Sequence, residues 1–197
     1  MHDALRSFRQ RVLPRYSEGT LQRLLTHPDA ETRRAAVLAL GLVGTMDSNA
    51  ALARVLHDID PAPARMAADA LWQIWFRGGT EDQNNELQRI LHLPDFEEIL
   101  AGLDDLVREA PKFAEVYNQR AILFFRRGDF ARSIADCQKT LELNPYHFGA
   151  QAGMAQCFLK LRKPRSALRA FRMALETNPT MTQLTETIEM LEKSVGG

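Results

Sequence analysis

Residues 114–147 read AEVYNQRAILFFRRGDFARSIADCQKTLELNPYH. The stretch divides into two amphipathic helices on either side of Gly128-Asp129. Glycine supplies the left-handed backbone that ends a helix, and aspartate caps the next one. The residue before a proline avoids the helical region, so Asn144-Pro145 stops the second helix. The same stop recurs: Pro111, Pro145 and Pro179 lie 34 residues apart. Phe96 and Phe130, Asp95 and Asp129, Leu141 and Leu175, and Leu87 and Ala121 keep that lag. A lag shared by apolar, turn and stop positions marks a repeated helix–turn–helix unit. Such a unit cannot bury its apolar face alone and must stack on its neighbours. The units are set at 80–113, 114–147 and 148–181, and the expected fold class is all-α, a right-handed α–α superhelix or helical-repeat solenoid.

The second unit resembles the tetratricopeptide repeat through Tyr117, Ala121, Phe124, Ser133, Cys137, Thr140 and Pro145, with Arg120 where that family has an apolar residue. The third resembles it through Gln151, Met154, Ala155, Phe158, Ala167, Phe171, Ala174 and Pro179. The first carries Leu87, Ile90, Ile99, Leu103, Leu106 and Pro111, with Pro94 in place of the turn glycine. Ile99 is large where a small residue lets the helices close, so a slightly opened first pair is expected. Pro164 falls in the first turn of a helix, where proline is tolerated. Residues 182–195 form a last helix with Leu184, Ile188 and Leu191 on one face. Its other face, with Gln183, Glu186, Glu189 and Lys193, is polar, as a terminal cap requires.

The front of the chain repeats at a different lag. LQRLLTHPDAETRRAAVLAL from Leu21 aligns with LARVLHDIDPAPARMAADAL from Leu52, 31 residues on. These segments resemble HEAT-type repeats of the armadillo superfamily. Asp29 and Asp60 stand where N-caps belong, and Arg34 and Arg65 are expected to bridge to the aspartate of an adjacent unit. Gly41 and Gly44 of the first segment are replaced by Trp72 and Trp75 in the second, where they are expected to fill the junction with the first 34-residue unit, with an exposed ligand platform as the alternative. Gly78-Gly79 marks the change of repeat type. The domains are thus 1–79, HEAT-like repeats with an N-terminal capping helix, and 80–197, three tetratricopeptide units with a C-terminal capping helix. So short a linker leads us to expect one continuous superhelix.

Composition narrows the function. The 25 basic and 25 acidic residues cancel, which argues against a nucleic-acid partner. No apolar run reaches the length of a membrane span. The first fifteen residues lack a signal-peptide core; Leu5, Phe8, Val12 and Leu13 beside Arg6, Arg9, Arg11 and Arg15 make an amphipathic cap or a targeting helix, with the cytoplasm as the default location. Cys137 and Cys157 lie in apolar helical patterns and read as reduced buried thiols. The five histidines are scattered, with no His-Glu pair of the kind HEAT-type hydroxylases use, and no nucleotide loop or nucleophile motif occurs. Asp104-Asp105 and Glu97-Glu98 read as solvated charge. No cofactor and no catalytic residue is expected.

The resemblance to tetratricopeptide repeats implies a concave groove lined by the first helix of each unit. Carried over, it names Asn84, Gln88 and Leu91; Asn118, Ile122, Phe125 and Arg126; and Ala152, Gln156, Leu159 and Lys160. The lysine–asparagine clamp with which some relatives hold a terminal carboxylate is missing, since Asn118, Ile122, Ala152 and Gln156 stand at its positions. The basic run Lys160, Arg162, Lys163, Arg165, Arg169 and Arg172 is read as a solvated face, with docking of an acidic partner as the alternative. The leading function is a non-catalytic adaptor that binds a peptide or protein segment in the groove, as a monomer or weak homodimer. The alternatives are a HEAT-type lyase or metal hydroxylase, and a self-assembling structural module.

Overall fold

A computed structural model describes residues 7, 8, 10–12 and 14–195. Leu5, Arg6, Arg9 and Leu13 of the expected N-terminal cap lie outside the described residues. Every regular element described is helical, and the residues group into two compact units that divide between Arg77 and Gly78.

The first unit holds α1 (Glu18–Leu24), α2 (Ala30–Val43), α3 (Asn49–Val55) and α4 (Pro61–Trp75), with a short 3-10 turn at Met46–Ser48. Asp29 caps α2 through the Thr32 N–H, and Asp60 caps α4 through the Ala62 N–H. Each satisfies a backbone donor that the helix itself leaves orphaned. Small residues let α2 and α4 approach closely: a Cβ at Gly41 would stand 3.0 Å from Ala70 Cβ. The hairpins are joined by Arg33, which bonds Asp58 in a bidentate pair at 2.6 and 2.7 Å and also donates to the His27 and Pro28 carbonyls. This corrects the sequence expectation. Arg34 instead pairs with Glu31 one turn away on its own helix, and Arg65 is exposed. Trp75 belongs to the core of this unit, donating from Nε1 to Asn49 Oδ1 at 2.7 Å, with Trp72 packed edge-on against it.

The second unit holds α5 (Glu81–Leu91), α6 (Phe96–Glu109), α7 (Ala114–Arg126), α8 (Phe130–Leu143), α9 (Phe148–Lys160), α10 (Pro164–Thr177) and α11 (Thr185–Val195). Each helix packs against the next in the chain, and α9 touches α7 and α8 as well. That is the hairpin stacking that the 34-residue lag demands. The pair α5–α6 packs less extensively than α7–α8 or α9–α10. The seam is dry and built from small residues beside large ones: Ala121, Ala155, Ala167 and Ala174 close around Phe171, all at most 2 % exposed. At roughly 25 cal/mol per Å² of apolar area removed from water, this seam is the main force that holds the hairpins together. Helix α11 closes the stack with Ile188 and Leu191 buried and Glu186 and Glu189 exposed; Met190 stands on its outer face at 63 % exposure.

Candidate protein-binding surface

Helices α5, α7 and α9 are the first helices of the three hairpins, and α7 and α9 touch. On α7, Ile122 and Arg126 are exposed and Phe125 is half-buried, its ring edge-on to Phe130 at 5.5 Å between centroids. On α9, Gln156 and Lys160 are exposed, while Ala152 and Leu159 are half-buried. On α5, Gln88 is exposed and Leu91 half-buried; Asn84 instead closes the helix entrance, bonding both N–H and carbonyl of Gly79. Residues 34 apart hold equivalent register positions: Leu91, Phe125 and Leu159 are apolar at one, and Gln88, Ile122 and Gln156 are mixed at another. Arg126 and Lys160 end the α7 and α9 helices, where a cation favours the negative end of the helix dipole, and neither has an acidic partner among the described residues.

Asn118 stands apart from this set. It is 3 % exposed and donates to Glu115 Oε1 at 3.0 Å. Glu115 is itself fully buried. It also accepts from Gln119 Nε2 at 2.6 Å and lies 2.9 Å from His147 Nε2. His147 Nδ1 accepts the Ala150 N–H that opens α9, so its proton sits on Nε2 and points at the carboxylate. This buried network ties the start of α7 to the start of α9. Glu115 and His147 are 32 residues apart, and no local pattern in the sequence joins them.

A second polar junction explains the odd arginine of the 114–147 unit. Arg120 bonds Asp136 on α8 through Nε and Nη2 at 2.7 and 2.8 Å, and Asp104 on α6 through Nη1 at 2.8 Å. Its guanidinium lies 5.7 Å from the centres of both Tyr117 and Phe124. Asp136 holds the Arg120 pKa above its already high value. Asp104 is therefore not simply solvated: it is one arm of a clamp across three helices. Glu97 pairs with Arg127, and Asp105 with Arg108.

The two cysteines are free and buried. Burial, with Cys157 and Asp136 nearby, pushes the Cys137 thiol up to about 12; burial also raises Cys157, whose sulfur donates to Ser133 Oγ at 3.1 Å. Thiols so held are poor nucleophiles. Among the described residues no group of three or more His, Cys, Asp or Glu converges as metal ligands would, and no helix is long and apolar enough to cross a membrane.

Residues 17–109 match the family model for HEAT repeats, and 114–147 match that for the tetratricopeptide repeat. The chain carries HEAT repeats and a tetratricopeptide repeat. The HEAT match runs on over α5 and α6, which the 34-residue lag assigns to the first tetratricopeptide unit. A TPR repeat-containing protein of Rhizobium etli is 32% identical over 95 residues, 48% of this chain and 47% of the relative. The chain thus spans about half the length of that relative. Among solved structures, MamA (MSR-1) superposes with a TM-score of 0.50 at 14% identity, covering 83% of this chain and 87% of MamA. A TPR protein of Thermus thermophilus gives 0.47 at 20% identity over 96% and 97% of the two chains. At such identities the likeness to a helical-repeat protein concerns the fold alone.

Proposed function

We propose that this protein is a non-catalytic adaptor whose first-helix face, on α5, α7 and α9, docks an extended peptide or a helix of a partner protein. In this reading 80–113 acts as the first of three tetratricopeptide units, next to the HEAT-like segment 1–79. HEAT and tetratricopeptide families are typically protein-binding scaffolds, which favours binding over chemistry. The observation that carries the proposal is the incomplete covering of Leu91, Ile122, Phe125 and Leu159 on these first helices, together with exposed Gln88 and Gln156. Apolar pockets give affinity, and amides satisfy the backbone of a bound segment. A reducing compartment such as the cytoplasm suits the two free thiols.

The test is site-specific photo-crosslinking in the native host. A crosslinker at position 122 or 156 is expected to trap one partner segment, and one at Gln138 or Met173, exposed on second helices, is not. The same adducts from all four positions would sink the groove assignment. The change Ile122→Ser with Phe125→Ala is expected to abolish the adduct at 156 while helicity stays unchanged.

A further inference from the structure

The turn between α9 and α10 departs from its own sister. Thirty-four residues earlier, the α7–α8 turn carries Arg127, Gly128, Asp129 and Arg132. The charges on these four residues are matched, Arg127 with Glu97 at 3.0 Å and Arg132 with Asp129 at 2.5 Å, while Arg126, the counterpart of Lys160, has no acidic partner among the described residues. Gly128 takes the left-handed φ of 80°, and Asp129 caps α8 through the Arg132 N–H. The α9–α10 turn has the same backbone path, with Arg162 and Lys163 where the sister has Gly128 and Asp129. Lys160, Arg162, Lys163 and Arg165 are all exposed, and none has an acidic partner among the described residues.

Two of these cations stand where local stability asks for something else. Arg162 adopts φ 55° at the position of Gly128, a backbone that disfavours any residue with a Cβ. Lys163 occupies the N-cap of α10 and makes no cap bond, where Asp129 makes one in α8. At adjacent positions the chain forgoes glycine and a cap, and gains a positive charge each time. Strain of this kind at an exposed turn points to a function of the side chain. Beside the turn lies an open hollow of about 460 Å³ lined by Lys163, Pro164, Arg165, Ser166, Ser194 and Val195. Leu161, 37 % exposed, offers an apolar contact between the cations.

We propose that the α9–α10 turn is a docking point for an acidic segment of a partner protein, with carboxylates held by Lys160, Arg162, Lys163 and Arg165. Three of the four cations lie outside the groove, so the site needs no occupant there. Guanidinium groups suit carboxylates because they donate in a planar fork. Nucleic acid fits less well, since single strands rely on aromatic stacking. The exposed Tyr146 precedes the opposite end of α9, about 20 Å away at 1.5 Å per residue. The chain as a whole also carries no net charge.

The experiment compares three probes on the full chain by fluorescence anisotropy: a labelled Glu-rich peptide, an oligo-dT of equal charge, and phosphatidylserine vesicles. The variant Arg162→Gly with Lys163→Asp rebuilds the sister turn. It is expected to raise Tm or leave it unchanged and to weaken the peptide about tenfold, as loss of two to three exposed charge contacts implies. Lys160→Gln with Arg165→Gln, away from the strained positions, is expected to weaken it similarly and guards against a misfolded first variant. Arg127→Ser with Arg132→Ser in the sister turn, and Ile122→Ser in the groove, are expected to leave it unchanged. The proposal is overturned if both turn variants bind the peptide as the native chain does, if the oligonucleotide or the vesicles bind more tightly than the peptide, or if no probe binds.

Discussion

Replacing Arg120 by methionine tests whether the clamp across α6, α7 and α8 holds the second unit together. Methionine keeps most of the aliphatic stem and removes the guanidinium. Asp136, with its side chain 9 % exposed, then loses both arms of a bidentate pair. Orphaning a buried charge costs about 3–5 kcal/mol. The Asp104 arm adds only about 0–1 kcal/mol, because that carboxylate is 50 % exposed and water replaces the bond. Arg120 itself is 17 % exposed, so some solvent reaches the site and the lower end, about 3 kcal/mol, is the expected loss. The double change Arg120→Met, Asp136→Leu removes both charges together and is expected to recover most of that loss, since a well-packed apolar pair is near neutral against a buried ion pair. The difference is the coupling energy of a double-mutant cycle. Urea unfolding followed by far-UV circular dichroism measures it. Trp72 and Trp75 both lie in the first unit, so the tryptophan signal follows that unit and is expected to move less. A single variant within about 1 kcal/mol of native, or a double variant no better than the single, would refute the reasoning.

Three further outcomes follow from the buried polar groups. His147→Ala removes a hydrogen bond to the fully buried Glu115 and the cap on α9, so a loss of about 2–4 kcal/mol in urea unfolding is expected; a loss below about 1 kcal/mol would show that Asn118 and Gln119 suffice. The Arg33 guanidinium holds the Asp58 carboxyl below its ordinary range, so its stabilisation is present above the unfolded pKa of about 3.9 and is lost as pH falls through the folded value. Asp58→Asn should therefore lower Tm at neutral pH and flatten the acid limb of a Tm-against-pH curve, and an unchanged slope would count against that pairing in solution. Because burial raises both thiols, native Cys137 and Cys157 are expected to resist iodoacetamide at pH 8 and to react readily in urea; fast labelling of the folded chain would contradict their burial.

Much of the fold was legible because its signals are local. The Gly128-Asp129 turn and the Asp29, Asp60 and Asp129 caps act within a few positions of the chain, so their spacing carries the meaning. The all-α repeat class follows from that spacing alone, and so does the order of the hairpins. The face proposed for binding was named from the repeat register. The covering of Phe125 by Phe130, the engagement of Asn84 with Gly79 and the burial of Asn118 depend on how each helix end meets its surroundings.

Sequence by itself determined which segments are helices and that they repeat, because backbone geometry and capping are settled by near neighbours. Tertiary structure alone decided the charge pairs that join one helix to another. Arg33 finds Asp58 25 residues away, Arg120 finds Asp136 at 16, and Glu115 finds His147 at 32. A charged side chain chooses its partner by distance and desolvation in the packed state, and that choice exists only once the hairpins have closed on one another.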